Sequence, residues 1–592
     1  MSIVYVLSVI YLMVLFMLYK KDDKGLCFIS VFVYTLGLLF CYNTFIVFLL
    51  YLLGIKGSLL VFSIINFFVG TFIGSIILKR GESIQKYYFE KKKILMVILV
   101  GLVIFLIGNY RFRGFEAISY ESGDSAIHYN HAVKFSEELS ILDEDNSKDE
   151  VYGAHVRVMP ISYVNCGLLL NVIDDVDGYL LFMFYNIGCL ILSTLLFIIT
   201  IIDVFKFKRK DYGFAFILSL FYVLAFPLNS FILGFCYLSL SIVVVNLLYL
   251  TINSFKESFN KDIVYKVVIL LLINFSVFCS YYLFVPAIYL ALGLYYIYLY
   301  KKKGINIKEL FLYGIITLII PFVIGVSYFL ITLFIDSGVG EVSRIINLWG
   351  YTYDSITPMY LFIFASAYLF LDYRKNKDFD YLKIVLYVFS FYIIIFLLLY
   401  IFKFISAYYF YKLFYVYWLL LILYLSKKIY LKKHIFYIVI SILLGINLLL
   451  FIFNGSKIAE LFSKTNIYSW NTYMFSDDKI LFDKDEVTLI EKSMEYEDIC
   501  VKDNKFLVLG AIEKNIWYYS ITGNVPVYGN VNGDSHNLYR YNVTSFNHWK
   551  NRVEYDCLIY YYEDEDVDID KSRYDILYEN NRGAIIKRRN KF

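Results

Sequence analysis

Charge is scarce in this chain, and the scarcity excludes most soluble classes. Only 18% of the 592 residues are Asp, Glu, Lys or Arg, 60% are hydrophobic, and the mean hydropathy is +0.63. Soluble domains are about half apolar and a quarter charged, so the composition is that of an integral membrane protein. The two signs nearly cancel, to a formal net charge of +4; no basic field is present for nucleic acid, and none is expected as a partner. The eight cysteines include no Cys-x-x-Cys pair, which removes the redox and zinc spacings. Cys27, Cys41, Cys189, Cys236 and Cys279 fall in apolar runs and read as small core residues. Cys500 and Cys557 fall in the polar tail and could pair if that tail is outside the cell. A Gly-x-x-x-x-Gly-Lys phosphate loop is missing, so a nucleotide-driven engine is not expected. No repeat of fixed period is visible. The run Ile3–Leu18 lacks a basic leader and a small-residue cleavage site, so it reads as a spanning helix rather than a cleaved signal.

What the chain does have is apolar runs. About 20 such residues cross a hydrocarbon core of roughly 30 Å. Lysine and arginine clusters punctuate them: Lys20-Lys21, Lys79-Arg80 through Lys93, Lys206 to Lys210, Lys301 to Lys303, Arg374 to Lys377, and Lys427 to Lys433. If each cluster is cytoplasmic, the runs fall into register as about 13–14 spans: 2–19, 26–53, 58–78, 94–109, 179–202, 213–233, 235–253, 264–283, 285–300, 309–335, 358–372, 382–402, 413–426 and 435–453. The 26–53 run is long enough to be either one tilted span or a broken pair. The expected fold is an α-helical polytopic membrane protein with an extracytoplasmic C-terminal α/β domain. Its parts are N-terminal transmembrane helices over 1–109, an outer loop over 110–178, a helical body over 179–454, and the C-terminal domain over 455–592. In that tail, apolar runs at Phe506–Leu509, Val525–Tyr528, Cys557–Tyr560 and Ala584–Ile586 alternate with helical patterns at Glu486–Tyr496 and Ser545–Val553. The 60 Tyr and 55 Phe are spread along the whole chain, as interfacial aromatics are.

The chemistry-bearing residues concentrate in the outer loop. Ser125 to about Ile141 reads as an amphipathic helix with Gly123-Asp124 at its start. Asp124, His128 and His131 are spaced i, i+4, i+7 and share one face. Glu121 lies just before and could turn back toward them. A carboxylate here can take a proton from an attacking hydroxyl, and a neighbouring imidazole can orient it or hold a phosphate. The plainer alternatives are that Asp124 caps the helix and that the histidines line a solvated face. A second candidate is Ser406-Ala407-Tyr408-Tyr409-Phe410-Tyr411-Lys412. Lysines are disfavoured in short outer loops, and Lys412 with Tyr409 at headgroup level suits an anionic lipid-linked phosphate. The alternative is an aromatic belt with a lysine that snorkels. Arg157 and Arg344 are further outer cations that could clamp a phosphate or pair with loop carboxylates.

The acidic motif Glu121-x-x-Asp124 with His128, in a large first outer loop running into a helix, together with the many-helix body and the outer α/β tail, resembles the polytopic GT-C glycosyltransferases. The resemblance implies a polyprenyl-phosphate sugar as donor and a glycan, lipid or protein acceptor. It also implies inversion at the anomeric carbon, an acidic residue of the first loop as base, and a bacterial cell-envelope setting. About three extra spans before the loop depart from the pattern. So does the lack of an adjacent Asp-Asp or Asp-Glu pair, which leaves a divalent metal cofactor open. Three other readings stand beside this one: a polymerase or ligase using a lipid-diphosphate-linked glycan, a lipid or glycan transporter, and a non-enzymatic scaffold.

Overall fold

In lipid a backbone must satisfy its own hydrogen bonds, which makes the α-helix the default for these runs. The computed structural model describes residues 1–19, 26–79, 87–111, 118–119, 123–141, 159–173, 177–225, 227–232, 234–255, 263–335, 379–429, 480–500, 506–508, 512–523, 557–562 and 573–589, with short pieces at 366, 368–369, 371–372 and 441–442. Among the described residues, ten helices are long and apolar enough to cross a bilayer. The chain is therefore a multi-pass helical membrane protein, with a small sheet towards its C-terminus.

Helix α1 (Ser2–Tyr19) packs against α3 (Leu59–Lys79), with α2 (Phe28–Leu52) between them in sequence. The long 26–53 run is one unbroken helix of 25 residues. At 1.5 Å per residue it is about 37 Å long, more than the roughly 30 Å core requires. Then come α4 (Lys91–Arg111), α5 (Gly123–Glu138), α6 (Pro160–Val172) and α7 (Gly178–Ile199), the last extended by a π-helical turn at Thr200–Val204. The expected 213–233 span is interrupted. Helix α8 (Tyr212–Ala225) stops ahead of Pro227, whose missing N–H cannot continue the ladder, and the short α9 (Leu228–Ile232) follows. The body continues with α10 (Cys236–Phe255), α11 (Ile263–Ser280), α12 (Val285–Lys301), α13 (Ile307–Gly314), α14 (Ile320–Ile335), α15 (Tyr381–Ile401), α16 (Ala407–Lys412) and α17 (Phe414–Ile429). The expected spans 358–372 and 435–453 lie mostly outside the described residues.

Helix α6 has 13 residues, too few to cross a bilayer, and Pro160 to Leu168 are all buried. It falls within the 110–178 stretch expected as an outer loop, yet it lies among the spans. Asn165 accepts from Asn43 of α2 at 3.0 Å and donates to the carbonyls of Ile161 at 2.9 Å and Phe40 at 3.2 Å. Tyr163 and Tyr328 share a hydrogen bond at 3.2 Å. Buried amides need such partners, and the spans supply them.

The two ends of the bundle differ. At the end carrying the basic clusters, ion pairs knit the helices together. Lys93 is fully buried and bonds Asp203 and Ser30, each at 2.5 Å. Glu90 accepts from Arg209 at 2.8 Å and from Tyr212 at 2.9 Å. Asp372 pairs with Lys383 at 3.1 Å and Lys428 at 2.9 Å and accepts from Tyr424, while Lys427 pairs with Asp380. Of these, Lys93, Lys383 and Asp372 are buried, and a buried charge is tolerable only when paired. A two-residue parallel ladder, β1 (Leu26–Cys27) with β2 (Tyr87–Tyr88), lies at the same end.

At the far end stands the α/β unit. Strand β3 (Ile118–Ser119) pairs antiparallel with β4 (Ile480–Phe482), joining the first long connection to the start of the unit. Helix α18 (Lys484–Ser493) begins with a capping box, in which Asp483 and Glu486 satisfy each other's backbone N–H. Strands β5 (Phe506–Val508), β6 (Cys557–Tyr561), β7 (Tyr574–Asn580) and β8 (Gly583–Arg588) form a sheet in the order β5-β6-β8-β7. The pair β5/β6 is parallel and the others are antiparallel. Strand β7 and the helix α19 (Ile512–Thr522) have no counterpart among the sequence expectations; the patterns at 525–528 and 545–553 lie outside the described residues. Cys500 and Cys557 are disulfide-bonded, with Cα atoms 5.5 Å apart.

Candidate functional site

Asp124 stands in the first turn of α5, one turn before His128 and two before His131. The helix is gripped from two sides. On one, α6 crosses it so closely that a Cβ on Gly167 would stand 2.6 Å from both the Ala132 carbonyl oxygen and the Phe135 ring. On the other, α19 of the α/β unit lays Trp517 over Tyr129, ring centroids 6.0 Å apart, and Lys134 stands 5.8 Å from the ring of Tyr519. His128 is 6% exposed and His131 3%. The face that an amphipathic helix would give to water is covered, and the solvated reading of the two histidines is set aside.

The turn before α10 completes the seat. Gly234 has a positive φ of 73°, and a Cβ there would lie 2.3 Å from Ser125 Oγ and 3.0 Å from Ser125 Cα. Only glycine combines that backbone with that approach. The turn it makes brings Tyr237 against His128 of α5 and Cys236 against Ser162 of α6.

Lys412 points into this turn. It is 2% exposed, and its Nζ donates to the Tyr237 hydroxyl at 2.6 Å. The ammonium stands 4.3 Å from the Phe235 ring centroid, 5.3 Å from Tyr237 and 5.7 Å from Tyr281, within the range of cation–π attraction. A snorkelling lysine would carry its head out to water; this one carries it inward. The tyrosines that cage it come from α10 and the α11–α12 turn. Tyr409, expected beside it, is buried three residues earlier in the chain. Lys403 of the same short connection is exposed.

Lys412 and His128 meet through Tyr237, whose ring lies 5.0 Å from the His128 imidazole. His131 is 6.3 Å from His128 and 6.0 Å from Tyr163. Burial, reinforced by His131 and Lys412, pushes the His128 imidazole well below its usual range, so the ring is neutral at pH 7. Its Nδ1 is buried without a hydrogen-bond partner among the described residues. A neutral imidazole offers one donor and one acceptor. This buried cluster, a pit only in the sense of a closed aromatic setting, holds an unsatisfied imidazole nitrogen beside a lysine ammonium, where electrostatic effects are strong. It is equipped to receive an anion and to orient a proton carrier.

The structure thus brings His128, His131 and Lys412 together, along with the turn of helix that bears Asp124. Glu121, Arg157 and Arg344 lie outside the described residues. Phe235, Tyr237, Tyr281 and Gly234 were not expected from the sequence. The break between Pro227 and Gly234, inside an otherwise apolar stretch, is the signal that could have pointed to the turn. Among the described residues, no three His, Cys, Asp or Glu side chains gather as metal ligands do. Compared with known proteins, the chain matches no family model and no curated sequence.

Proposed function

We propose that this chain is a membrane glycosyltransferase that moves a sugar from a polyprenyl-phosphate donor to a cell-envelope glycan, lipid or protein. One observation carries the reading: the Lys412 ammonium and the neutral His128 share an aromatic pit beside the helical turn bearing Asp124. In the proposed reaction Lys412 faces the donor phosphate. The acceptor hydroxyl gives its proton to the Asp124 carboxylate as its oxygen bonds to the anomeric carbon. The bond from that carbon to the phosphate oxygen breaks, and polyprenyl phosphate leaves with the electron pair and the added negative charge. Attack opposite the leaving group inverts the anomeric centre. Lys412 stabilises the developing charge, and His128 orients the carboxylate or the phosphate. Phosphate is already a good leaving group, so positioning and electrostatics supply most of the acceleration.

The same reading puts the pit and the α/β unit on the outer face. The basic clusters at the opposite end support this, as does the Cys500–Cys557 disulfide, a bond that persists in oxidising compartments. Cysteine substituted at Glu495, exposed in the α/β unit, should react with an impermeant thiol reagent in intact cells, whereas cysteine at Lys302 should react only after permeabilisation. The described free cysteines are buried, so background labelling should be low. The reverse pattern would invert the orientation.

The reading as a whole is tested on cells lacking the protein. Mass spectrometry of their envelope glycans should show one sugar missing, restored by the wild-type chain. An unchanged envelope, with no transfer from polyprenyl-phosphate sugars by the reconstituted protein, would overturn it.

A further inference from the structure

Between α12 and α15, away from the pit, lies a cavity of about 530 Å³. Its wall is made largely of Leu294, Leu369, Phe379, Ile384, Phe391 and Ile394. Phe391 is 63% exposed and Leu294 and Ile394 42% each, so the cavity faces the lipid rather than the protein core. On α15 it runs from Ile384 to Ile394, about 15 Å of helix. That is half of a roughly 30 Å core, and it is the half nearer the basic end. The dimensions are those of a single hydrocarbon chain from that leaflet.

Three lysines stand beyond the end of the cavity that Phe379 lines. Helix α12 runs on from Leu294 to Lys301, and Lys302 and Lys303 follow, all three exposed. Lys302 Nζ stands 5.9 Å from the Tyr298 ring, and Tyr298 meets the cavity residue Phe379 edge-on at 6.5 Å. The neighbouring lysines are committed: Lys383 and Lys428 to Asp372, Lys427 to Asp380. Lys301, Lys302 and Lys303 make no ion pair among the described residues. A slot for one chain beside three uncommitted cations is complementary to a lipid with a negative headgroup.

We propose that this cavity binds an anionic glycerophospholipid, one chain along α15 and the phosphate against Lys301–Lys303. The proposal is independent of the glycosyl-transfer reading. Basic pockets at the cytoplasmic ends of transmembrane helices hold acidic lipids by such means, each lysine near the surface contributing about fivefold.

The test uses the full-length protein, equilibrated in vesicles of phosphatidylcholine and phosphatidylglycerol and then re-extracted, with retained lipid counted by mass spectrometry. Phosphatidylglycerol is expected to be enriched over phosphatidylcholine by at least about fivefold relative to the vesicle. The triple reversal K301E/K302E/K303E, at exposed positions that do not threaten folding, should bring the ratio to parity. Leu294→Trp, which fills the slot, should lower retention of both lipids. Equal retention by the wild-type chain would overturn the proposal. So would a preference that survives the triple reversal, or one that survives Leu294→Trp in protein of normal stability.

Discussion

Replacing Asp124 with asparagine is expected to lower sugar transfer by about 10²–10⁴-fold, the contribution of a positioned general base, while membrane insertion stays normal. Asparagine keeps the size of the side chain but cannot take the acceptor's proton. The structural alternative predicts far less. Asp124 stands in the first turn of α5, where a negative charge favours the helix by only about 0.3–1 kcal/mol, and asparagine caps about as well as aspartate. Neither effect approaches a hundredfold loss in rate. The measurement is transfer by the purified, reconstituted protein with a defined polyprenyl-phosphate sugar and acceptor. Full activity in Asp124→Asn would end the assignment. Loss in Glu121→Gln with Asp124→Asn intact would move the base three residues upstream.

The second large effect is expected at Lys412. Methionine has similar length and packs well against aromatic rings, so Lys412→Met should preserve the walls of Phe235, Tyr237 and Tyr281 while removing the charge. Loss of one positioned charge-stabilising group typically lowers rate by about 10²–10³-fold, and here the donor requirement should rise as well. Tyr237→Phe, which deletes the 2.6 Å hydrogen bond but keeps the ammonium, should have the smaller effect. Unchanged donor dependence in Lys412→Met, at normal protein level, would make the lysine a packing element of the turn.

Much of this architecture was legible in the chain because bilayer thickness imposes a length on every span. The runs that became α2, α4, α7, α10, α11, α12 and α15 could be placed from apolar length and flanking lysines alone. What escaped was structure whose cause is tertiary. Pro160–Val172 is too short to register as a span, and its burial depends on Asn43, Phe40 and Tyr328 from other helices. Pro227 sits in a run that is apolar on both sides, so hydropathy carried straight through the break.

The site shows the same division. The spacing of Asp124, His128 and His131 is local, and a helix had to put them on one face. Lys412 stands out because a lysine is rare in a short connection expected on the outer side. Its cage did not stand out, because Tyr237 and Tyr281 are two among 60 tyrosines and nothing local marks the ones that converge. The burial of α5 was equally hidden, since Trp517 and Tyr519 arrive from nearly 400 positions away in the chain.

The pairing of Ile118 and Ser119 with Ile480 and Phe482 sets an order on biogenesis. The stretch leading into Asp124 is synthesised early, but its strand partner leaves the ribosome some 360 residues later, after α17 has been made. Until then β3 has no ladder to join, and the flank of α5 that receives Trp517 is bare. The covering of α5 is thus completed only late in synthesis, and a chain cut before residue 480 lacks both the β3 partner and Trp517. Contacts of such long range are slow to form, so the packing around α5 is set late in folding.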